Sequence, residues 1–323
     1  MRAPILAVLA AELVGVGYGV AARLTFEGRG GGNFGVMTLA FVVLVPLVVG
    51  FLSVALTPDG DRMPPPVGLV FITCAACLGF VLAAGLEGTI CVVLIAPLFL
   101  LFATLGGFLG SGLRRLARSR RMYASGILVM LVLPYTAAPL EGRLPLPDAR
   151  RTVVASTVVR ADAATVWRTV VRPTGIRPEE NQVRLAHRIG FPHPVSATLS
   201  HEGVGGSRYA IFERGVMLRE TVTEWVPGRR MAFTIDPAHI PPRALDEHVT
   251  VGGPYFDVID GAYEIVPLAA GRVELRLTTT HRLSTHFNLY AGFWTDLLMR
   301  QIQENLLHVV RTRAEAGRMN RSS

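Results

Sequence analysis

The stretch that decides the fold of the second half of this chain is RVELRLTTTHRLSTHFNLYAGFWTDLLMRQIQENLLHVV, residues 272–310. Its first part alternates, and one face carries Val273, Leu275, Leu277, Thr279 and His281. Such alternation predicts a β-strand with one face in water and the other against a core or cavity. From residue 287 onward, apolar residues recur every three or four positions, which predicts a long amphipathic helix. A strand that leads into such a helix indicates a sheet packed against it.

More strand-like segments precede this stretch. Asp162 is a plausible N-cap for a short helix that ends near Val171. Pro227 with Gly228 and Ala270 with Gly271 are typical of hairpin turns. The predicted strands are Thr152–Val159, Val195–Ser200, Ser207–Phe212, Met217–Trp225, Arg230–Ile235, Tyr255–Pro267 and Arg272–Leu283. This order predicts an α+β fold with a curved antiparallel sheet around the long C-terminal helix.

The first 140 residues have a different pattern, and they give the chain its mean hydropathy of +0.42. The apolar runs are 5–22, 36–56, 67–86, 90–112 and 122–140. Because about 20 apolar residues in a helix cross a bilayer, the runs predict a transmembrane bundle of four or five helices. The last run is the weakest, since Pro134 and Pro139 interrupt it. We therefore expect a transmembrane domain at 1–140, a linker at 141–150, a soluble domain at 151–316 and a tail at 317–323.

A cluster of arginines follows the fourth run and predicts the orientation of the chain. Basic loops beside membrane spans lie on the cytoplasmic side, and the cluster consists of Arg114, Arg115, Arg118, Arg120 and Arg121. We therefore expect the protein to lie in the plasma (inner) membrane. With four spans before the cluster, its N-terminus is in the cytoplasm. If residues 122–140 form a fifth span, the soluble domain lies on the outer, periplasmic or extracellular side.

Several kinds of partner and cofactor are disfavoured. The net charge is +8, yet the basic residues of the second half are scattered among acidic ones, which does not favour nucleic-acid binding. All three cysteines fall in apolar runs, and no HExxH helical zinc motif occurs. Asp246, Glu247 and His248 are adjacent, and adjacent residues in an extended segment point to opposite sides. We therefore expect neither a metal nor another cofactor.

Three segments of the second half carry a resemblance to a known family. They are VVASTVVRADAATVWRTVV (153–171), GVGGSRYAIFERGVMLRETVTEWVPGRRMAFTI (203–235) and residues 263–315. These segments resemble the START-like (SRPBCC) superfamily, which includes polyketide cyclase/dehydrase-type and Bet v 1-like proteins. The resemblance implies a helix-grip fold with a deep apolar cavity between sheet and helix for a hydrophobic small molecule, lipid or polyketide-like ligand. The resemblance does not by itself imply that the protein is an enzyme, because the superfamily shares no catalytic residue set.

Alternation along the strands gives the residues expected to line such a cavity. Tyr255, Asp257 and Tyr263 share a parity on one strand, and His281 lies on the apolar face of the next. If that parity faces inward, Asp257 could orient His281 for acid/base work; the alternative is a structural histidine. The expected lining consists of Phe233, Tyr255, Asp257, Tyr263, Leu277, His281, Tyr290 and Trp294.

Three functions remain open. The sequence favours a membrane-anchored protein that binds a hydrophobic small molecule or lipid and is not an enzyme. The first alternative is a cyclase- or dehydratase-like enzyme acting on a hydrophobic small molecule. The second is an accessory subunit of a membrane complex, whose protein partners the sequence does not identify.

Overall fold

The computed structural model describes residues 2–26, 35–58, 66–242, 244–246, 248–269 and 271–322. The chain divides into two compact units, Met1–Leu146 and Pro147–Ser323. We call these the N-terminal unit and the C-terminal unit. Glu247, which the sequence places in an acidic cluster, lies outside the described residues.

The N-terminal unit consists of apolar helices. They are α1 (Arg2–Thr25), α2 (Val45–Ala55), α3 (Pro66–Ala83), α4 (Thr89–Leu116) and α5 (Arg120–Glu141), with a π-helical turn at Ala40–Leu44 before α2. Four of them, all except α2, are long and apolar enough to cross a membrane. The predicted run 36–56 is helical only over Ala40–Ala55, which is shorter than the other four. The run 122–140, in which two prolines make the prediction of a span weaker, forms one continuous helix through Pro134 and Pro139.

Close backbone contact joins α2 to α4. A Cβ atom added to Gly50 would lie 1.8 Å from the carbonyl oxygen of Ala103, and one added to Gly106 would lie 1.8 Å from that of Leu47. In a lipid environment small residues let helices approach closely, and van der Waals contact then holds them together. Glycine is thus required at both positions by contact between helices.

The C-terminal unit contains one sheet of seven antiparallel strands in the order β1-β7-β6-β5-β4-β3-β2. The strands are β1 (Ala149–Val159), β2 (Pro194–Leu199), β3 (Ser207–Phe212), β4 (Met217–Val226), β5 (Arg230–His239), β6 (Phe256–Leu268) and β7 (Arg272–Leu283). Short helices α6 (Ala163–Val171) and α7 (Leu185–Ile189) lie between β1 and β2. Asp162 caps α6 as predicted, accepting the amide of Thr165 at 2.8 Å.

The long helix α8 (Asn288–Ser322) packs on the inner face of the curled sheet, mainly against β1 and β7. Its apolar stripe, including Leu307 and Val310, joins the core with Met231, Leu275 and Leu277 of the sheet. This arrangement of a curled sheet and a long terminal helix is the helix-grip fold, as the sequence predicts. The helix continues to Ser322, through most of the segment expected to be a tail.

A β-bulge interrupts β6 between Val258 and Asp260. Before the bulge Val258 pairs with His281, and after it Gly261 pairs with Thr279. An extra residue in one strand reverses the alternation beyond it. Residues on the two sides of the bulge that share a parity in sequence therefore face opposite sides of the sheet.

Replacing Gly50 with alanine should destabilise the N-terminal unit, because the added methyl group meets the backbone of α4. Overpacking a close-packed core costs about 1–3 kcal/mol. The matched control is Gly79→Ala, since nothing lies within 4 Å of a Cβ added to Gly79. Thermal melting of the full-length protein in detergent should give a lower midpoint for Gly50→Ala than for Gly79→Ala. Equal midpoints would contradict the proposed contact.

Candidate functional site

The inner face of the sheet holds four of the residues that the sequence assigns to a cavity. Phe233, Tyr263, Leu277 and His281 are all buried there, and His281 is 0 % exposed. The rings of Phe233 and Tyr263 lie 6.0 Å apart. The alternation along β7 thus predicts its inward-facing residues correctly.

Asp257 lies on the opposite face from His281, contrary to the alternation prediction. The bulge in β6 reverses the parity, so Asp257 pairs with Arg282 on the outer face. Its carboxylate accepts the amide of Gly252 at 2.7 Å. Tyr255 precedes β6, is half-buried, and its carbonyl accepts the amide of Ser284. Neither residue joins the buried group on the inner face.

The acidic neighbour of His281 comes from α8 instead. The Nε2 atom of His281 lies 3.2 Å from the hydroxyl of Thr295 and 3.7 Å from a carboxylate oxygen of Asp296. Arg151 donates two hydrogen bonds to Asp296, at 2.9 and 2.5 Å. Burial lowers the pKa of His281 although Asp296 opposes this, so the ring is neutral at pH 7.

Three buried polar atoms of α8 and β7 have no hydrogen-bond partner among the described residues. They are Nδ1 of His281, Nε1 of Trp294 and Oε1 of Gln303. Trp294 is half-buried beside Tyr290, whose ring lies 6.4 Å away. Because buried polar groups in native proteins are normally paired, each of these atoms is available to a water molecule or a ligand.

A second buried polar group lies on β3, β4 and β6, and the sequence analysis missed it. Arg208 and Glu220 face each other across the β3–β4 hairpin, are 4 % and 7 % exposed, and form an ion pair. Arg208 also donates to the carbonyls of Val170 and Val171 at the end of α6. Burial raises the pKa of Tyr263 to about 12, and the nearby Arg208 opposes this. The neutral phenol therefore completes a polar group of Arg208, Glu220 and Tyr263.

The polar group borders a hollow between the sheet and α8. Its volume is about 40 Å³. This accommodates about three water molecules, whereas the resemblance implies a deep cavity. The lining consists of Val170, Pro173, Ile176, Pro194, Ser196, Ala197, Arg208, Ala210, Ile211, Phe212, Glu220, Tyr263, Leu306, Val309 and Val310. The hollow is therefore smaller than expected, with apolar walls and one charged pair.

The segment between α6 and β2, residues 172–193, covers one side of the hollow with Pro173 and Ile176. Side chains of α8 hold this segment through polar contacts. Asn305 accepts the amide of Gln182 at 2.7 Å, and Arg313 donates to the carbonyls of residues 174 and 175 at 2.7 Å. We call residues 172–193 the cover segment.

The sequence contains a signal for the missed pair. Arg208 and Glu220 are equidistant from Arg214, whose φ of 58° marks the turn between β3 and β4. A hairpin centred there places the two residues opposite each other, as the observed register does. Their inward direction depends on the curl of the whole sheet and is not contained in the hairpin alone.

No family model matches the chain, and no curated protein matches its sequence. Solved structures match the second half. A START superfamily protein from Mycobacterium smegmatis is 14% identical, with 51% of this chain and 97% of that chain covered and a TM-score of 0.35. A Streptomyces aromatase/cyclase is 16% identical, with 54% of this chain and 97% of that chain covered and a TM-score of 0.32. Norcoclaurine synthase from Thalictrum flavum, solved with dopamine and hydroxybenzaldehyde, is 12% identical. The match covers 55% of this chain and 90% of that chain, with a TM-score of 0.33.

The strand order and the long helix across the inner face of the sheet decide the fold of the C-terminal unit. It has the helix-grip fold, and we call it the START-like domain after the resemblance in its sequence. The START-like domain carries all three tryptophans of the chain, Trp167, Trp225 and Trp294. Their fluorescence therefore reports on the unfolding of this domain alone, even in the full-length protein.

Removing one partner of the buried ion pair should strongly destabilise the START-like domain. Arg208→Met leaves Glu220 buried without its counter-charge, a change that costs about 3–5 kcal/mol. The double variant Arg208→Met/Glu220→Leu removes both charges and should recover part of that loss. Urea unfolding followed by tryptophan fluorescence measures both. A double variant that is less stable than Arg208→Met would contradict this account of the pair.

Acid should weaken the START-like domain between pH 7 and pH 5. Burial and the adjacent His193 lower the pKa of His187 to about 4, and burial lowers that of His281. The folded domain keeps the His187 ring neutral over this range and disfavours protonation of His281, while histidines of the unfolded chain take up protons near pH 6.5. Stability is therefore lost as the pH falls below that value. The urea concentration at the midpoint of unfolding should fall between pH 7 and pH 5. The fall should be smaller in His187→Gln than in the wild type. An equal fall in His187→Gln and in the control His201→Gln, an exposed site, would refute this assignment.

Proposed function

We propose that the protein is a membrane-anchored ligand-binding protein whose START-like domain takes a hydrophobic small molecule or lipid into the hollow beneath α8. The observation that carries the proposal is the buried group of Arg208, Glu220 and Tyr263 at the edge of an apolar hollow. Binding sites for small molecules combine apolar walls with a few polar groups that fix the orientation of the ligand.

The charges of the polar group indicate the kind of ligand. Arg208 and Glu220 neutralise each other, so a charged ligand group would leave one unbalanced charge in a buried site. A hydroxyl or carbonyl group can exchange hydrogen bonds with Glu220 and Tyr263 without adding charge. We therefore assign to this site a largely apolar molecule with an uncharged polar end.

The hollow has to enlarge when such a ligand binds. Pockets for drug-sized molecules measure about 300–1,000 Å³, against about 40 Å³ here. The cover segment is the part of the wall best suited to move, because it contains no strand of the sheet and α8 holds it through polar contacts. Water can replace its neutral hydrogen bonds at little net cost. The ion pair of Arg313 with Glu180 is the strongest of these contacts and has to break or move with the segment.

The apolar helices give the binding domain its location. We infer that α1, α3, α4 and α5, together with the shorter apolar helix Ala40–Ala55, anchor the chain in the plasma (inner) membrane. The arginine cluster of residues 114–121 and the N-terminus then lie in the cytoplasm. With α5 as a span, the START-like domain lies on the outer side. A tether of this kind raises the local concentration of the domain near ligands that dissolve in the membrane.

The second candidate function, a cyclase- or dehydratase-like enzyme, is favoured by one observation. His281 is buried and neutral beside Thr295 and Asp296, and its Nδ1 atom has no partner among the described residues. A neutral imidazole of this kind can act as a general base. In that case His281→Gln would abolish conversion of the bound molecule and leave its binding intact.

Filling the hollow should remove the ligand. Ala210 lines the hollow, so Ala210→Leu occupies it, whereas Ala232→Leu adds the same group at a half-buried position of β5 outside the lining. Native mass spectrometry of the full-length protein, purified gently from its membrane, should detect a discrete bound molecule in the wild type and in Ala232→Leu but not in Ala210→Leu. Tryptophan fluorescence confirms that each variant is folded. A wild-type protein that carries no such molecule, or equal occupancy in all three proteins, would overturn the proposal.

A further inference from the structure

The first turns of α8 expose large apolar side chains. Leu289 is 95 % exposed and Phe293, one turn later, is 62 % exposed. Tyr290 and Trp294 lie beside them and are half-buried. The rings of Phe293 and Trp294 are 5.4 Å apart. We call Leu289, Tyr290, Phe293 and Trp294 the α8 ridge.

The ridge is not required to build the core. In the part of α8 whose side chains are described, the other exposed positions are Arg300, Thr312 and Ala316, which are polar or small. The helix buries its other face through residues such as Leu298, Leu307 and Val310. Two exposed large apolar side chains together, with aromatic neighbours, are typical of a surface that contacts another apolar phase.

Chain connectivity identifies the end of the sheet that carries the ridge. β1 begins at Ala149, directly opposite Leu283, the last residue of β7. α8 begins at Asn288, five residues after that strand. The ridge thus lies at the end of the sheet where the chain enters the START-like domain, and residues 142–148 alone separate that entry from α5, a candidate span.

We propose that the α8 ridge inserts into the interfacial region of the bilayer in which the apolar helices are anchored. Leucine, phenylalanine, tyrosine and tryptophan are the side chains that partition into the boundary between headgroups and acyl chains. A tethered domain forms such a contact with little loss of translational freedom, so two inserted side chains suffice. The proposal depends on the membrane anchoring and is independent of ligand binding in the hollow.

Depth-dependent quenching tests the insertion in the full-length protein. Phe293→Cys, labelled with bimane and reconstituted in phosphatidylcholine nanodiscs, should lose fluorescence when lipids carrying a doxyl group near the headgroup are included. The control is Val204→Cys, an equally exposed site at 64 % in the β2–β3 turn, at the opposite end of the sheet. It should show no loss. Wild-type protein labelled in parallel gives the background from Cys74, Cys77 and Cys91.

Each outcome decides a different point. Quenching at residue 293 and none at residue 204 supports insertion of the ridge. A blue-shifted but unquenched label at residue 293 means that protein covers the ridge, and this overturns the proposal, as does equal quenching at both sites. Failure of the wild type to enter nanodiscs would instead refute the membrane anchoring. A midpoint of urea unfolding equal to that of the wild type in both variants establishes that the label leaves the domain folded.

Discussion

The C-terminal unit depends on the burial of one stripe of α8 against the inner face of the sheet. Leu307 and Val310 share a core with residues of six strands, and Gln303, 1 % exposed, donates to the carbonyl of Val153 and to the hydroxyl of Thr279. Because the sheet curls around the helix, its middle strands and α8 enclose a space that side chains must fill. The hollow is the part of that space that the side chains leave unfilled.

Two groups of polar side chains interrupt that core. One consists of Arg208, Glu220 and Tyr263, and the other is centred on His281 and Asp296. A buried ion pair is often no more stabilising than a well-packed apolar substitute, so stability alone does not explain its presence. Arg208 is fully occupied, since it also holds the end of α6. Glu220 and Tyr263 therefore remain as the groups best placed to meet a ligand.

The sequence predicts the architecture and only part of the site. The alternation in β7 and the spacing of apolar residues in α8 each specify their own secondary structure locally. Both predictions are confirmed. The bulge between Val258 and Asp260 has no comparable signal, and it moves Asp257 to the outer face. The size of the hollow depends on how side chains from four strands, two helices and the cover segment pack together, which no single segment specifies. Pro134 does not end α5, because a transmembrane-type helix tolerates proline within it.

In the proposed function, the cover segment moves, and the hollow beneath α8 then opens to bind a hydrophobic small molecule or lipid. Hydrogen–deuterium exchange of the full-length protein in nanodiscs tests this directly, with and without a lipid extract from its own membrane. The account predicts that amides of residues 172–193 exchange much faster than those of β6 and β7, and that the extract slows them. Exchange in the cover segment as slow as in those strands, and unaffected by the extract, would contradict it.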